Sequence, residues 1–432
     1  MHLNEIEATV IDEHFKGVPG GAAPLRLDEI GSQDWNLLRG DLPMPVAVLK
    51  QSALDHNSRW MRRFLERTGA KICPHGKTTM SPQLFAQQLD DGAWGITLAT
   101  VAQVRIARRY GVGRILLANQ LVDRSSIKTV LRELDRDASF DFYCLVDSIA
   151  GVELLSETVK SHGSSRPLQV LVEVGVDGGR CGCRDVQTAM EVARAVHATK
   201  GRLVLRGVEG FEGLITGDSP DEQEAAIRDF GELMTSTARQ CAEEQLFGEG
   251  PVILTAGGSA FFDLVIDPLR ALTLNQPTEV VIRSGCYLTH DSKFYRNLHE
   301  RLAVRSDDAG QLGEGLRPAI EVWSAVQSRP EPTRAVLTLG RRDASYDIDL
   351  PTPICWHRPG EHEQPIPVPP DHRIVSFHDQ HALVDVPAGS PWQVGDLVAC
   401  GISHPCTTFD RWRLLMVVDD QYQVTGGIVT FF

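Results

Sequence analysis

The 432-residue chain has no apolar run approaching the roughly 18 residues needed to cross a bilayer, and no positively charged, apolar leader at its start. Both absences predict a cytoplasmic protein with no membrane partner. Basic charge is not in surplus: 43 Lys and Arg stand against 57 Asp and Glu, a formal charge of −14. A surface of that sign repels nucleic acid and anionic membranes, and neither is an expected partner. The nine cysteines contain no CxxC pair. They do not make the disulfide framework of a small secreted domain, and an odd count in a long chain predicts reduced thiols, most of them in the core. No repeat or low-complexity tract is present.

What is there is length and alternation. The chain exceeds the usual size of one domain, so one large domain with a smaller one is expected. Pro45–Leu49 reads as a strand. A helix starts at Ser52 or Asp55, with Trp60, Met61, Phe64 and Leu65 on one face and Arg59, Arg62, Arg63 and Glu66 on the other. Eight short apolar runs then follow: Lys71–Pro74, Ile96–Ala99, Ile115–Ala118, Phe142–Val146, Val170–Val174, Val208–Phe211, Val252–Thr255 and Glu279–Arg283. Buried strands alternating with helical stretches predict an α/β fold, a closed (β/α)8 TIM-type barrel with a doubly wound sheet as the competitor. After about residue 300, β-branched runs such as Ala335–Leu339, Arg373–Phe377, Leu397–Ala399 and Leu414–Val418 predict a separate β domain, with 351–370 as an irregular loop.

Barrel enzymes carry their chemistry at the C-terminal ends of the strands, where Lys77, Thr100, Asn119, Asp147, Glu173, Glu212, Gly257 and Arg283 fall. Lys77 is the most informative. It lies in Cys73-Pro74-His75-Gly76-Lys77-Thr78-Thr79, after a strand and before the helix-start pair Ser81-Pro82. An amine desolvated at a strand end loses part of its preference for the charged form and can form a Schiff base with an aldehyde, pyridoxal phosphate being the leading candidate. The plain alternative is helix-start decoration.

Pro74-His75-Gly76-Lys77-Thr78 resembles the motif around the cofactor lysine in the D-serine dehydratase and D-threonine aldolase family, whose wider relatives are the alanine racemases. The resemblance implies a barrel that binds pyridoxal phosphate (51–300), a C-terminal β domain with a metal site (301–432), and an N-terminal segment (1–50) packing with that β domain. It also implies a homodimer. Thr79 replaces a histidine that many members carry.

Further segments carry the resemblance. Thr255-Ala256-Gly257-Gly258-Ser259 is similar to the family turn that holds the cofactor phosphate, and glycines there let backbone N–H groups approach an anion; an ordinary tight loop is the alternative. Arg283-Ser284-Gly285-Cys286-Tyr287 resembles the second phosphate-side segment, which implies Gly285 and Tyr287 as contacts. Arg180 matches the arginine that faces the pyridine nitrogen in relatives; a surface pair with Asp177 is the other reading. Near the C-terminus, His404-Pro405-Cys406 places a nitrogen and a thiolate two residues apart, and alternate residues of an extended segment share a face from which both reach one Zn2+. A chance pair is the alternative. In the resemblance this is the metal pair, histidine with cysteine in the D-serine dehydratases and with aspartate in the D-threonine aldolases. His378-Asp379-Gln380-His381 resembles a glutamate–histidine segment with Gln380 in place of the carboxylate, which implies His381 near the substrate.

The expected activity is a lyase acting on a small D-3-hydroxyamino acid, D-serine foremost, giving a 2-oxo acid and ammonia. Lys77 removes the α-proton and zinc on His404 and Cys406 assists the leaving hydroxyl. D-threonine aldolase or racemase chemistry on the same cofactor, or a pyridoxal-phosphate-binding protein without activity, are the alternatives.

Overall fold

A computed structural model describes residues 1–432. Two short strands near the start, β1 (Val10–Ile11) and β2 (Leu25–Arg26), pair antiparallel and lead to β3 (Val46–Lys50). The helix Gln51–Thr68 buries Trp60, Met61 and Phe64 and exposes Arg59, Arg62, Arg63 and Glu66, as the 3.6-residue spacing predicts. Trp60 stacks on Phe64 at 5.4 Å, and Gly69, in the left-handed region with φ +69°, ends the helix.

Eight parallel strands follow: β4 (Lys71–Ile72), β5 (Ile96–Leu98), β6 (Arg114–Gln120), β7 (Asp141–Val146), β8 (Leu168–Val174), β9 (Leu203–Gly210), β10 (Val252–Ala256) and β11 (Thr278–Ile282). Their hydrogen-bonded order runs β4-β11-β10-β9-β8-β7-β6-β5. The two ends meet: the Trp94 N–H donates to Ile72 O at 2.7 Å and the Thr97 N–H to Pro74 O at 2.9 Å. That closure decides for the (β/α)8 barrel over the doubly wound sheet. Every expected barrel strand is present within a few residues of its predicted ends. Five of the seven helices between them begin at side-chain caps, Thr100, Asp123, Ser148, Asp185 and Ser219 each accepting from a backbone N–H three residues on. Thr100, one of the strand-end candidates, is therefore spent on a cap.

Cys73, Leu116, Tyr143, Leu145, Leu171, Ile253 and Val281 fill the barrel interior, so its lumen is packed core and the open space lies at the C-terminal mouth. The outer faces of the strands pack on the helices in a cluster of 92 buried residues that continues into the β region.

The β region contains β12 (Ile320–Glu331), β13 (Arg334–Leu337), β14 (Thr352–His357), β15 (Ile366–Pro367), β16 (Arg373–Phe377), β17 (Ala382–Asp385), β18 (Leu397–Gly401), β19 (Leu414–Val418) and β20 (Val424–Val429). β3 pairs antiparallel with β12 and parallel with β19, so an N-terminal strand lies inside this sheet. The stretch 351–370 is not the irregular loop expected from its prolines. It contains β14 and β15, which pair with each other, and β14 also pairs with β18. Pro353 sits at a register shift of the β14–β18 ladder, a place where proline is tolerated in a sheet. No helix is long and apolar enough to cross a membrane.

Candidate active site

The strand ends of the barrel and the segment after β18 enclose one cavity of about 240 Å³. Lys77, Asn119, Glu173, Arg180, Gly258, Ser259, Gly285, His404 and Cys406 line it, with His75, Glu209, Cys286 and Tyr295. Residues separated by more than 300 positions thus meet where the β region covers the barrel mouth.

Lys77 is half-buried on a single 3-10 turn, Gly76–Thr78, between β4 and the helix Pro82–Asp90. Ser81-Pro82 starts that helix with proline in its first turn. Thr79 is buried and accepts from the Ser81 N–H at 3.4 Å, so the residue that replaces the relatives' histidine serves the helix entry. Beside the lysine, His75 is held neutral: burial pushes its pKa down, and Lys77, Arg283 and Arg180 push the same way.

Under the cavity lies a buried ion pair. Arg283 reaches Glu209 at 2.5 Å and donates to Thr255 Oγ1 and to Gly210 O, both at 2.8 Å. Burial raises Glu209 to about 8 against the pull of Arg283. Removing Arg283 leaves Glu209, Thr255 Oγ1 and Gly210 O buried without their donor, at about 1–3 kcal/mol for each unsatisfied group, so Arg283→Leu should lower the unfolding free energy by at least about 1–3 kcal/mol. A urea midpoint unchanged from wild type would contradict this.

The phosphate-side loops differ from expectation in one respect. Gly257 has φ +89°, a conformation that favours glycine. Its N–H and that of Gly258 both donate to the Glu212 carboxylate, at 3.0 and 2.6 Å, instead of facing the cavity. The turn does bind an anion, and that anion is the chain's own. The next residue remains available: the Ser259 hydroxyl faces the cavity and accepts the Cys286 N–H at 3.1 Å, joining this loop to the end of β11. Gly285 has no room for a side chain, because a Cβ there would lie 2.6 Å from His75 Cβ and 2.7 Å from Thr78 Oγ1.

Arg180 stands at the exposed rim of the cavity, its guanidinium 4.6 Å from the Phe211 ring centre. It makes no ion pair with Asp177. Glu173 accepts from Gln120 Nε2 and lies beside Asp147 and Cys181; burial raises its pKa. Asp147 itself accepts from the Gly182 N–H at 3.1 Å and so shapes the Arg180 loop.

His404 and Cys406 are close for a reason other than the one expected. Pro405 is helical, with φ −57° and ψ −44°, and opens the short helix Cys406–Phe409, so the pair is set by a turn and not by an extended segment. His404 Nδ1 lies 2.6 Å from Asp347 Oδ2, and Thr407 Oγ1 donates to the other oxygen of that carboxylate at 2.7 Å. This fixes the imidazole and leaves Nε2 as the nitrogen not taken by Asp347. His404 is raised to about 9: burial opposes its charge, but Cys406 and Asp347 outweigh burial. The Cys406 thiol sits 3.3 Å from Thr78 Oγ1, one residue from the lysine. An imidazole and a thiol that is readily ionised beside it are the donors a divalent zinc ion takes.

Two expected residues lie elsewhere. Tyr287 is buried against the helix Pro82–Asp90 with its hydroxyl beside Gln88, and does not line the cavity. Past β11 the chain turns, which faces Gly285 and Cys286 to the cavity and Tyr287 to the core. His381 is exposed at the β16–β17 turn, where its carbonyl accepts the His378 N–H at 2.8 Å. Gln380 bonds to Asp343 at 3.0 Å within the β region.

Sequence alone gives no role to Cys286, Tyr295 or Asp347. Glu209 falls in Glu209-Gly210-Phe211-Glu212-Gly213, which resembles a family strand end near the cofactor but is too loose to assign roles, and Cys286 falls in the Arg283–Tyr287 segment.

The cavity fits an aldehyde cofactor with an anionic arm. It presents an amine, a guanidinium and a serine hydroxyl, while His75 Nδ1, Glu209 Oε2 and Arg283 Nε are buried polar atoms of lining residues with no partner inside the protein.

Comparison with known proteins points to the family. Residues 319–418 match the family described as "Putative serine dehydratase domain", and residues 49–260 match "Alanine racemase, N-terminal domain". Domain by domain, the chain is similar to the D-serine dehydratase and D-threonine aldolase family. It is 24% identical to the 3-hydroxy-D-aspartate aldolase of Paracoccus denitrificans (strain Pd 1222) over 80% of this chain and 81% of that one. The solved D-threonine aldolase of Filomicrobium marinum superposes with a TM-score of 0.75 at 21% identity, covering 94% of this chain and 98% of the other. The D-threo-3-hydroxyaspartate dehydratase of Delftia sp. HT23 does so with a TM-score of 0.69 at 20% identity, over 92% and 99%. These relatives support an enzyme of the D-3-hydroxyamino-acid lyase group.

Proposed function

We propose that the chain is a pyridoxal-phosphate- and zinc-dependent dehydratase that converts a D-3-hydroxyamino acid, D-serine foremost, to a 2-oxo acid and ammonia. The observation that carries the choice is Cys406, the cysteine form of the metal pair, in the same cavity as Lys77. Pyridoxal phosphate, when bound, supplies an electron sink that stabilises negative charge at the α-carbon. A divalent metal on His404 and Cys406 supplies Lewis acidity toward the poor leaving group, hydroxide.

The chain's own residues do the rest. Lys77 Nζ holds the cofactor and takes the α-proton on release. Ser259 and Gly285 would form the phosphate side, with the Gly257 and Gly258 N–H groups already held by Glu212. By the family resemblance Arg180 would face the ring nitrogen, and a cation there would keep that nitrogen unprotonated and the ring a weaker sink, so leaving-group assistance would matter more. Neutral His75, next to Lys77, holds no competing positive charge. A homodimer acting in the cytoplasm completes the proposal.

A second reading is supported by the relatives whose names include aldolase: carbon–carbon cleavage of a D-3-hydroxyamino acid. Incubation with D-serine, D-threonine and D-threo-3-hydroxyaspartate separates the two. Dehydration gives a 2-oxo acid and ammonia; aldol cleavage gives glycine and an aldehyde. Glycine and an aldehyde as the main products of D-threonine or D-threo-3-hydroxyaspartate would overturn the dehydratase proposal.

A further inference from the structure

Cys286 is buried, lines the cavity with His404 and Cys406, and has no part in the function described above. Its Sγ lies 3.9 Å from the Sγ of Cys406. Two thiolates on one tetrahedral zinc, each at about 2.3 Å, are about 3.8 Å apart. A disulfide needs about 2.05 Å. The observed separation is the edge of a metal tetrahedron and nearly twice a bond between the sulfurs.

Neither sulfur hangs on a loose loop. Cys286 follows Gly285, which is wedged against His75 and Thr78, and its N–H is held by Ser259 Oγ at 3.1 Å. Cys406 rests on Thr78 Oγ1 at 3.3 Å and begins a helix whose neighbour His404 is anchored by Asp347. The Cys406 thiol thus rests on the Gly76–Thr78 turn from the β region, while Gly285, the residue before Cys286, packs on the same turn from the barrel. Donor atoms held by packing and hydrogen bonds before the metal arrives are what a precise site requires.

Resting on the assignment of His404 and Cys406 as a metal pair, we propose that Cys286 is a third protein ligand, giving a His/Cys/Cys site with one open position. The consequence is selectivity. Two thiolates and an imidazole prefer zinc to magnesium or manganese, which favour carboxylate and water ligands. They also offset the two positive charges of the ion, and the single open position directs one substrate oxygen to one place.

X-ray absorption on the zinc-loaded full-length protein tests this without any substitution. Two sulfur ligands at about 2.3 Å are expected in wild type, and one in Cys286→Ser and in Cys406→Ala. The zinc affinity of Cys286→Ser and Cys286→Ala should fall at least tenfold, since losing even an outer partner of a metal ligand costs roughly 10- to 100-fold. One sulfur in wild type that persists in Cys286→Ser and disappears in Cys406→Ala overturns Cys286 as a ligand and leaves the metal pair standing. Wild type that binds zinc through no sulfur, or binds none at stoichiometric loading, overturns the pair and this inference together.

Discussion

Lys77→Ala should give a folded protein that no longer becomes covalently labelled when pyridoxal phosphate is added and reduced with borohydride. Lys77 lines the cavity on a turn fixed at both ends, by β4 and by the helix Pro82–Asp90. A positioned proton-transfer group contributes about 10²- to 10⁴-fold in rate, and in the proposed function Lys77 also holds the cofactor, so turnover of D-serine should drop by at least that factor. Peptide mapping of reduced wild type should place the label on Lys77. A label on another lysine would remove the basis for the site.

Cys406→Ala and exhaustive chelation should both stop product formation while leaving the bound cofactor in place. Cys406 contacts Thr78 and not the lysine's own atoms, and the groups on the cofactor side, Ser259, Gly258 and Arg180, lie in different segments. The two functions are therefore separable. Zinc should restore the chelated wild type and should not restore Cys406→Ala. Since each factor of ten corresponds to about 1.36 kcal/mol of barrier, even modest assistance to a hydroxide leaving group makes the loss large. Asp347→Ala should weaken metal binding about 10- to 100-fold, because Asp347 orients His404 without touching the ion.

The barrel was legible because each of its strands is a short, nearly continuous apolar run, and strands buried on both faces must read that way. Lys77 stood out chiefly through the resemblance of Pro74–Thr78 to the family motif, since a lysine between a strand end and a Ser-Pro helix start is by itself a weak signal; the structure puts it in the cavity. Features that depend on distant pairing were not. Asp347 lies 57 positions before His404 and meets it only after β18 turns back over the barrel. β14 was hidden by prolines that the fold accommodates at an irregular ladder. Past β11 a phase change of one residue exchanged Tyr287 for Cys286, since the chain leaves the strand and alternation no longer tells inside from outside. Glu212 is another case: a carboxylate at a strand end reads as a site residue, and only the fold shows it bonded to the glycine N–H groups that an incoming phosphate was expected to meet.

The central claim is that one cavity divides its work, Lys77 moving the α-proton and the metal on His404 and Cys406 serving the leaving hydroxyl. D-Serine incubated in deuterium oxide with metal-stripped enzyme measures that division directly. Exchange of the α-proton should continue at reduced rate while pyruvate does not form, and zinc should switch pyruvate formation on, with L-serine inert throughout. Full pyruvate production by the stripped enzyme, or equal rates on the two enantiomers, would contradict it.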